Sequence, residues 1–399
     1  MISRVNKNVF YIEIATAQLS KKGEQVCGDV FLSRKIQEEN RIITVMSDGL
    51  GSGVRANVLA TLTATMALNF TIERYPPDQT ARTILDTLPV DRSRKISYAT
   101  FSIVDSDADG ETRIVNFDNP MPIIIRGMKV LVPEIRKQYF QKNPGVVREL
   151  ISCSFEARRE DRIILISDGV SQSGLGTAMY PFGWAVPEIG QWICKALTEE
   201  PGLSASDLAA RIIERANAND IYIPKDDISC VVIYFRNPRC LLLCSGPPYH
   251  PHDDRRLAMT VNSFDGQKVI CGGTTAEIVS RELKCGIEVN IDTMSGDIPP
   301  VSVMNGVDLV TEGVLTLGKV SARLEEGVTL PVREKDAASA LLSLLLNNDK
   351  IFLLAGTRIN EAHQDPSLPV ELEIRRNVVK KIKRLLEEKY LKEVNLDFI

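Results

Sequence analysis

Short apolar runs bounded by polar turns make up much of residues 1–236, and this pattern predicts strands. Residues 54–72 and 80–88 differ, because their length, their apolar spacing and their few helix breakers favour helices. Residues 189–198 and 206–217 are also predicted to be helical. Strands that pair in meanders, with long helices inserted, indicate an α+β sandwich. The predicted strands are residues 10–19, 30–34, 41–47, 98–105, 111–116, 122–126, 129–132, 161–167 and 229–235.

A second domain is predicted behind the first. A chain of 399 residues is longer than one hydrophobic core usually organises, so two domains are expected. Residues 246–254 are rich in Gly, Pro and polar side chains, and we interpret residues 239–254 as a linker. The predicted division gives residues 1–238 to the first domain and residues 255–399 to a smaller α/β domain with a regulatory or ligand-binding role. Its predicted elements are helices at residues 276–283, 337–346 and 371–390 and a strand at residues 350–355.

Composition and charge narrow the class of protein. The chain is 44% hydrophobic and 25% charged with a formal net charge of −4, so it lacks the basic character of nucleic-acid-binding proteins. No apolar run is long enough to span a bilayer, and residues 1–10 do not resemble a secretory signal. The eight cysteines are scattered without a CxxC pair, which is typical of reduced thiols. We therefore expect a cytoplasmic protein that binds neither nucleic acid nor membrane.

Acidic residues lie next to strand ends at four places, most of them beside a glycine. They are Gly28-Asp29, Ser47-Asp48-Gly49, Ser167-Asp168-Gly169 and Asp226-Asp227. Carboxylates that converge from several strand ends repel one another unless cations neutralise them. Oxygen ligands without His or Cys suit Mg²⁺ or Mn²⁺ rather than zinc. Two such ions can clamp a phosphoryl group and generate hydroxide from a water molecule.

The same residues have a simpler interpretation. An Asp-Gly pair after a strand is among the commonest turn signals, so a single instance indicates no site. The near repetition of residues 42–49 in residues 163–169 is harder to explain by turns alone. From the residues alone, ordinary turns and a carboxylate metal site both stay open.

In this order the motifs resemble the type 2C (PPM) phosphatase family, and specifically its bacterial sporulation stage II protein E branch. Residues 98–101 and 114–122 resemble a strand pair of that branch, and the resemblance covers residues 1 to about 236. It implies an α-β-β-α sandwich, in which two antiparallel sheets are flanked by helices. It also implies a protein serine/threonine phosphatase in which metal-bound hydroxide attacks a phosphoserine or phosphothreonine. In related bacterial proteins the substrate is typically an anti-sigma-factor antagonist, and a homodimer stays open.

The resemblance also implies roles for individual residues. Asp48 would bridge two Mn²⁺ or Mg²⁺ ions, and the carbonyl of Gly49 would bind one of them. Asp29 would lie near that ion, while Asp168 and Asp226 would complete the shell of the second ion. The implied catalytic set is Asp29, Asp48, Asp168 and Asp226, and the implied metal-binding set adds Gly49 and, as an alternative to Asp226, Asp227.

Two positions depart from the eukaryotic members of the family. Leu50 stands where those members carry a histidine that protonates the leaving group, and Glu24 stands where they carry a phosphate-binding arginine. The bacterial branch lacks both residues as well. Candidates for a phosphate-binding cation are Lys21, Lys22 and Arg55, although each is more often a solvated surface charge.

Alternative functions rest on glycine-rich segments and on the second domain. Gly51-Ser52-Gly53 could cradle a nucleotide phosphate, but the P-loop lysine and a Rossmann spacing are missing. Gly272, Gly273, Thr274 and Thr275 open a predicted helix and could bind an anion, although a simple helix cap explains them too. Asp292 and Asp297 add polar groups nearby. The rival functions are a catalytically weak binding module and a small-molecule phosphatase or nucleotide-binding enzyme regulated through the second domain.

Overall fold

The polypeptide folds as two units, residues 1–237 and 238–399, in a computed structural model. Three residues of the sequence analysis, Leu50, Asp292 and Asp297, lie outside the part of the chain that the structure describes. The same is true of Tyr98 and Ala99, the first two residues of the segment 98–101. The described residues are 10–49, 51–87, 100–107, 109–143, 146–290, 301–327, 336–358, 368–390 and 392–399.

One sheet of the first unit has five strands, all antiparallel to their neighbours. Its central strand is apolar on both sides, since Ile163 and Leu165 face the other sheet while Ile164 and Ile166 face helices. This two-sided burial explains the continuous apolar run at that point of the sequence. In order across the sheet, the strands are β1 (Tyr11–Leu19), β11 (Ile228–Arg236), β10 (Arg162–Ile166), β6 (Ile123–Arg126) and β7 (Lys129–Leu131).

The other sheet of the first unit has six antiparallel strands. Met46 and Val104 pack from it against Ile163 and Val231 of the first sheet, which forms the core between the sheets. In order, its strands are β2 (Val30–Ile36), β3 (Arg41–Ser47), β4 (Phe101–Asp107), β5 (Glu111–Phe117), β9 (Val146–Glu156) and β8 (Ile135–Asn143).

Helices cover the outer face of each sheet. The six-stranded sheet packs on α1 (Gly53–Ile72) and α2 (Pro77–Thr87), and the five-stranded sheet packs on α4 (Val186–Glu199) and α5 (Ala205–Asn219). A short helix, α3 (Asp168–Ser171), follows β10 directly. The four layers confirm the predicted α-β-β-α sandwich.

The structure adds a hairpin that the sequence pattern does not indicate. Strands β8 and β9 lie at the edge of the six-stranded sheet, where Arg136, Lys137 and Tyr139 of β8 are exposed to water. A second difference concerns the start of α2, which begins at Pro77 and not at the predicted residue 80. Proline suits the first position of a helix because its missing N–H has no acceptor there.

The second unit contains a seven-stranded sheet with helices on both faces, which confirms the predicted α/β class. Five neighbouring strands are parallel, and the hairpin β14–β15 adds antiparallel strands at one edge. In order, the strands are β14 (Ile287–Asn290), β15 (Val301–Met304), β16 (Val307–Thr311), β13 (Gln267–Cys271), β12 (Cys240–Ser245), β17 (Lys350–Ala355) and β18 (Glu393–Phe398).

The predicted linker at residues 239–254 is wrong. Strand β12 is an inner strand of the sheet, between β13 and β17, and its apolar side chains are buried on both faces. The turn-rich residues that follow end at helix α6, so they form an ordinary strand-to-helix connection within the unit. The helices of the unit are α6 (Asp254–Ser263), α7 (Gly273–Leu283), α8 (Val314–Glu326), α9 (Ala337–Asn347) and α10 (Leu368–Tyr390).

Among the described residues, no helix is both long and apolar enough to cross a membrane. All eight cysteines lie in described segments, and all are free thiols.

Candidate active site

The acidic motifs of the first unit come together where strand ends from both sheets meet. Antiparallel pairing sets the end of β3 beside the start of β2, since Ser47 pairs with Val30, and this brings Asp48 close to Asp29. In the same way, the end of β10 lies beside the start of β11, which places Asp168 close to Asp226. The two pairs then face each other across the two sheets.

A side-chain amide and two serines connect the sheets at this point. Gln18 Nε2 donates to the backbone oxygen of Asp29 at 3.1 Å and to Ser229 Oγ at 3.2 Å. Ser167 Oγ accepts from the backbone N–H of Ser229 at 2.9 Å and donates to the backbone oxygen of Asp227 at 3.2 Å. None of these polar residues stands out in the sequence, because Gln and Ser are common at strand ends.

Asp48 is the most strongly perturbed acid of the site. Burial raises its pKa to about 10, and the charges of Asp29, Asp168 and Asp226 add to the increase. A hydrogen bond with Asp168 also favours the protonated form. A negative charge on the Asp48 side chain therefore lowers the stability of the fold unless a positive charge is close.

Asp29 and Asp226 share this environment. Burial raises the pKa of Asp29 to about 7, although hydrogen bonds from Ser229 and Ser167 oppose the shift. The pKa of Asp226 is also raised, chiefly by burial and in part by Asp168. One carboxylate oxygen of Asp29, Oδ2, is buried and has no hydrogen-bond partner.

The carboxylate of Asp227, unlike that of Asp226, binds backbone groups of the fold. Its Oδ1 accepts from the backbone N–H of Lys21 at 2.9 Å, and its Oδ2 accepts from the backbone N–H of Gly28 at 2.8 Å. The carboxylate thus holds the segment before Asp29 against the start of β11. Since both of its oxygens already bind backbone groups, Asp226 is the better candidate for a site ligand.

The glycines beside the acids are required by close backbone approach. A Cβ atom on Gly49 would lie 2.3 Å from the backbone oxygen of Ala56, and one on Gly169 would lie 2.1 Å from that of Asp227. Neither position can therefore accept a larger residue without moving the backbone. Gly49 itself is buried next to α1, and its φ is not positive.

Thr100 is a site residue whose part the sequence does not reveal. Its Oγ1 accepts from the backbone N–H of Asp48 at 3.0 Å and donates to the backbone oxygen of Asp48 at 2.8 Å. The backbone oxygen of Thr100 accepts from Ser47 Oγ at 2.7 Å. These three bonds fix the chain on both sides of Asp48.

The cation candidates differ in their exposure to water. Lys21 is half-buried, and its charge lowers the pKa of Asp226 against the larger effect of burial. Lys22 and Arg55 are exposed. Glu24 accepts from Ser52 Oγ at 3.0 Å at the start of α1, where a negative charge favours the helix dipole.

The residues present fit divalent cations in their charge and chemistry. The buried carboxylates raise one another's pKa, and the unpartnered oxygen of Asp29 is a free acceptor inside the cluster. Hard oxygen donors of this kind are the preferred ligands of Mg²⁺ and Mn²⁺. Within the described residues, no group of three or more His, Cys, Asp or Glu side chains has the arrangement of a ready-made metal site.

Comparison with known proteins identifies the first unit. Residues 38–236 match the sequence family described as Stage II sporulation protein E (SpoIIE). A search of curated proteins finds no match to the chain.

Solved structures with a similar fold are phosphatases and their relatives. The phosphatase domain of the cell fate determinant SpoIIE from Bacillus subtilis has 17% identity and a TM-score of 0.42, covering 58% of this chain and 94% of that one. RsbX in complex with magnesium has 18% identity and a TM-score of 0.41, with coverages of 58% and 98%. The RsbU and RsbW domains of a Mycobacterium tuberculosis protein have 16% identity and a TM-score of 0.45, with coverages of 64% and 68%. At these identities and TM-scores, nothing about metal, substrate or partner passes to this chain.

Replacing Asp48 by Asn should stabilise the metal-free protein. Burying a carboxylate among other carboxylates costs folding free energy, whether the group keeps its charge or takes up a proton. We expect a higher Tm in EDTA, by about 2–4 °C for each kcal/mol of repulsion removed. Differential scanning calorimetry of Asp48→Asn beside the exposed control Asp265→Asn measures the effect, and a lower Tm for Asp48→Asn would contradict it.

Replacing Thr100 by Val should destabilise the first unit. The change keeps the shape of the side chain but leaves the N–H and the oxygen of Asp48 without their partner, at about 1–3 kcal/mol. Urea unfolding should show this loss, and Thr100→Ser, which keeps the hydroxyl, should recover most of it. A Val variant as stable as the wild type would show that these bonds contribute little.

Proposed function

The chain belongs through residues 38–236 to the Stage II sporulation protein E family, and on that premise we propose that it is a metal-dependent protein serine/threonine phosphatase. The observation that carries the proposal is the set of converging acids, Asp29, Asp48, Asp168 and Asp226, at the junction of the two sheets. No structural need of the fold explains why four acids are collected there.

We propose that Mn²⁺ or Mg²⁺ ions are held by Asp29, Asp48, Asp168 and Asp226, with the carbonyl of Gly49 as a further oxygen donor. When bound, such ions offset charge on phosphoryl oxygens and lower the pKa of a coordinated water molecule. A pair of ions is the arrangement that the family resemblance implies. Asp227 is left out of this set, because its oxygens hold the backbone of Lys21 and Gly28.

The chain's own contribution is to fix the acids before substrate arrives. Thr100 holds the backbone of Asp48, and Ser167 and Ser229 hydrogen bond with Asp29. Gln172 Nε2 donates to Asp168 Oδ2 at 3.0 Å, which orients the fourth carboxylate. Such preorganisation reduces the reorganisation needed during the reaction.

Lys21 is the best placed cation to contact a phosphate group. Its backbone N–H is fixed by Asp227, and its charge acts on Asp226, whereas Lys22 and Arg55 are exposed. In this proposal Lys21 stands in for the arginine that Glu24 replaces. The acid that protonates the leaving group has no counterpart among these residues.

A protein substrate is supported by two loops beside the acids. Residues 172–183 follow α3, and residues 220–225 lead into Asp226. They are joined by bonds from Gly174 N–H to Asp220 Oδ1 at 2.8 Å and from Lys225 Nζ to the Leu175 oxygen at 2.9 Å. Both loops expose large apolar side chains, which are Leu175, Met179, Phe182, Ile221, Tyr222 and Ile223.

Phe182 is 90% exposed and Met179 is 74% exposed, which is unusual for side chains of this size. Clustered apolar exposure at a site commonly marks a protein-binding surface. A small phosphate ester would not need such a surface. We therefore favour a phosphorylated protein over the small-molecule alternative, and the anti-sigma-factor antagonist of related proteins is the first substrate to test.

The rival hypothesis is a binding module that has kept the fold without turnover. Burial of mutually repelling carboxylates weighs against it, because it reduces stability and serves no purpose in a docking platform. Metal-independent binding without phosphate release would support the rival.

Phosphate release from an aryl phosphate should require Mn²⁺ or Mg²⁺ and should be lost in EDTA. Asp48→Asn and Asp168→Asn should each lower kcat/KM by at least about a hundredfold, since each removes charge from the site. Asp265→Asn serves as the control with the same change of charge. Hydrolysis that persists in EDTA, or that survives both substitutions, would overturn the proposed function.

Phe182→Ser should affect a protein substrate and a small one differently. For a serine-phosphorylated anti-sigma-factor antagonist, kcat/KM should fall by about tenfold, the loss typical of an apolar contact residue. For an aryl phosphate, kcat/KM should stay unchanged, because Phe182 is not one of the residues proposed to hold the metal ions. Val132→Ser, at another exposed apolar residue, is the matched control. Equal effects on both substrates would count against a docking role for the loops.

A further inference from the structure

Two helices of the second unit begin side by side at the carboxyl ends of parallel strands. Strands β13 and β16 are neighbours, and each leads within two residues into a helix, α7 after Gly272 and α8 after Gly313. The two helices lie on opposite faces of the sheet, since α7 packs in one hydrophobic cluster and α8 in the other. Both helix starts therefore lie outside the carboxyl ends of the parallel strands, the edge at which open α/β sheets bind ligands.

Both helices lack a side chain that caps their first turn. The N-cap residues are Gly272 and Gly313, and neither helix start has a side-chain cap bond. Side-chain caps occur at α5, where Ser204 accepts from Asp207 N–H, and at α9, where Asp336 accepts from Ser339 N–H, whereas α1, α3, α4 and α6 also have none. The first N–H groups of an α-helix have no acceptor within the helix, so they are available to an external one.

The two helix starts lie close to each other at Gly272 and Gly313. Gly272 has a φ of +128°, which disfavours any residue with a side chain. A Cβ atom on Gly313 would lie 3.5 Å from the Cα of Gly272. The positive ends of the α7 and α8 dipoles therefore lie next to each other, which favours a negative ligand between them.

A buried hydroxyl without a partner stands in each first turn. Thr275 and Thr316 are the third residues of α7 and α8, and both are almost fully buried, at 0% and 1% exposure. Neither Oγ1 has a hydrogen-bond partner. Thr275 Oγ1 lies 3.4 Å from the place of a Cβ on Gly272, so this hydroxyl faces the helix cap.

We propose that the site at these two helix starts, defined by Gly272, Gly273, Thr275, Gly313 and Thr316, binds the phosphate group of a small phosphorylated metabolite. The hydroxyls of Thr275 and Thr316 have no partner, the first N–H groups of a helix have no acceptor within it, and a phosphate supplies several acceptors at once. The pattern Gly-x-x-Thr occurs at both helix starts, which a chance helix cap does not explain.

The neighbouring carboxylate narrows the class of ligand. Glu312 is exposed and directly precedes Gly313. Its charge opposes a bare anion, whereas it can accept hydrogen bonds from hydroxyl groups. A sugar phosphate or a nucleotide, which carries hydroxyls beside its phosphate, therefore fits better than inorganic phosphate.

Calorimetric titration of the full chain with ribose 5-phosphate, ADP and inorganic phosphate tests the proposal. The measurement is made in EDTA, so that cations at the acids of the first unit neither retain phosphate nor support hydrolysis. We expect binding of one or both of the hydroxyl-bearing ligands, with inorganic phosphate weaker. Binding of ADP alone identifies a nucleotide, and equal binding of both identifies the sugar phosphate as the recognised part.

Gly273→Glu is the variant that blocks this site. A Cβ on Gly273 meets nothing within 4 Å, and a glutamate at the first helical position favours the helix dipole, so the variant should fold. Its carboxylate should weaken ligand binding by at least about tenfold. Gly286→Glu is the matched control, because Gly286 is equally open and lies beyond the other end of α7.

Thr275→Val separates binding from structure. Because the hydroxyl has no partner in the free protein, its removal should leave the Tm unchanged or higher while binding weakens by about tenfold. A lower Tm with unchanged binding would show a structural hydroxyl instead. Failure of the wild type to bind any of the three ligands, or wild-type binding by Gly273→Glu, would overturn the proposal.

Discussion

Repulsion between buried and half-buried carboxylates is the constraint on which the first unit depends. Asp29 and Asp48 come from one sheet and Asp168 and Asp226 from the other, so the two sheets cannot pack at this end without bringing like charges together. Apolar packing between the sheets is extensive enough to hold them in place. Apolar packing between the sheets thus offsets the stability that is lost at the acidic site, which is common where the needs of function and folding conflict.

The hydrogen bonds around the acids show how the fold tolerates this repulsion. Asp227 is also buried and acidic, but two backbone N–H groups satisfy it, and it serves as a structural clamp. Asp29, by contrast, keeps one oxygen without a partner, and Asp48 is held through its backbone by Thr100 while its carboxylate shares a hydrogen bond with Asp168. The bonds therefore restrain the chain while they leave at least the Oδ2 of Asp29 open to a ligand.

This division explains how far the sequence could predict the site. Asp48 and Asp168 follow apolar strands and precede glycine, so their position at strand ends is encoded locally. The choice between Asp226 and Asp227 is not, because it depends on where the backbone of Lys21 and Gly28 lies 199 or more residues away. Thr100 is hidden for the same reason, since its partner is 52 residues distant.

The fold shows the same contrast between local and distant information. Strand β10 and helix α5 are evident from apolar spacing within a few residues, and the structure confirms both. Residues 239–254 were predicted to be a linker because Pro and Gly dominate their second half, yet β12 is an inner strand of its sheet. Only pairing with β13 and β17, which lie far along the chain, reveals that role.

Each unit has polar groups without partners at the ends of its strands, and the two sets would attract ligands of opposite charge. In the first unit, carboxylates converge and need positive charge, whereas in the second, two helix starts without side-chain caps lie close together and the hydroxyls of Thr275 and Thr316 have no partner. Strand ends are suited to both, because a sheet fixes the backbone rigidly while the loop beyond it is free to vary. Because Thr275 and Thr316 are buried without partners, they lower the stability of the second unit, as Asp48 lowers that of the first. Such losses persist where a function uses them, and this is the physical reason for the binding role that we propose for the second unit.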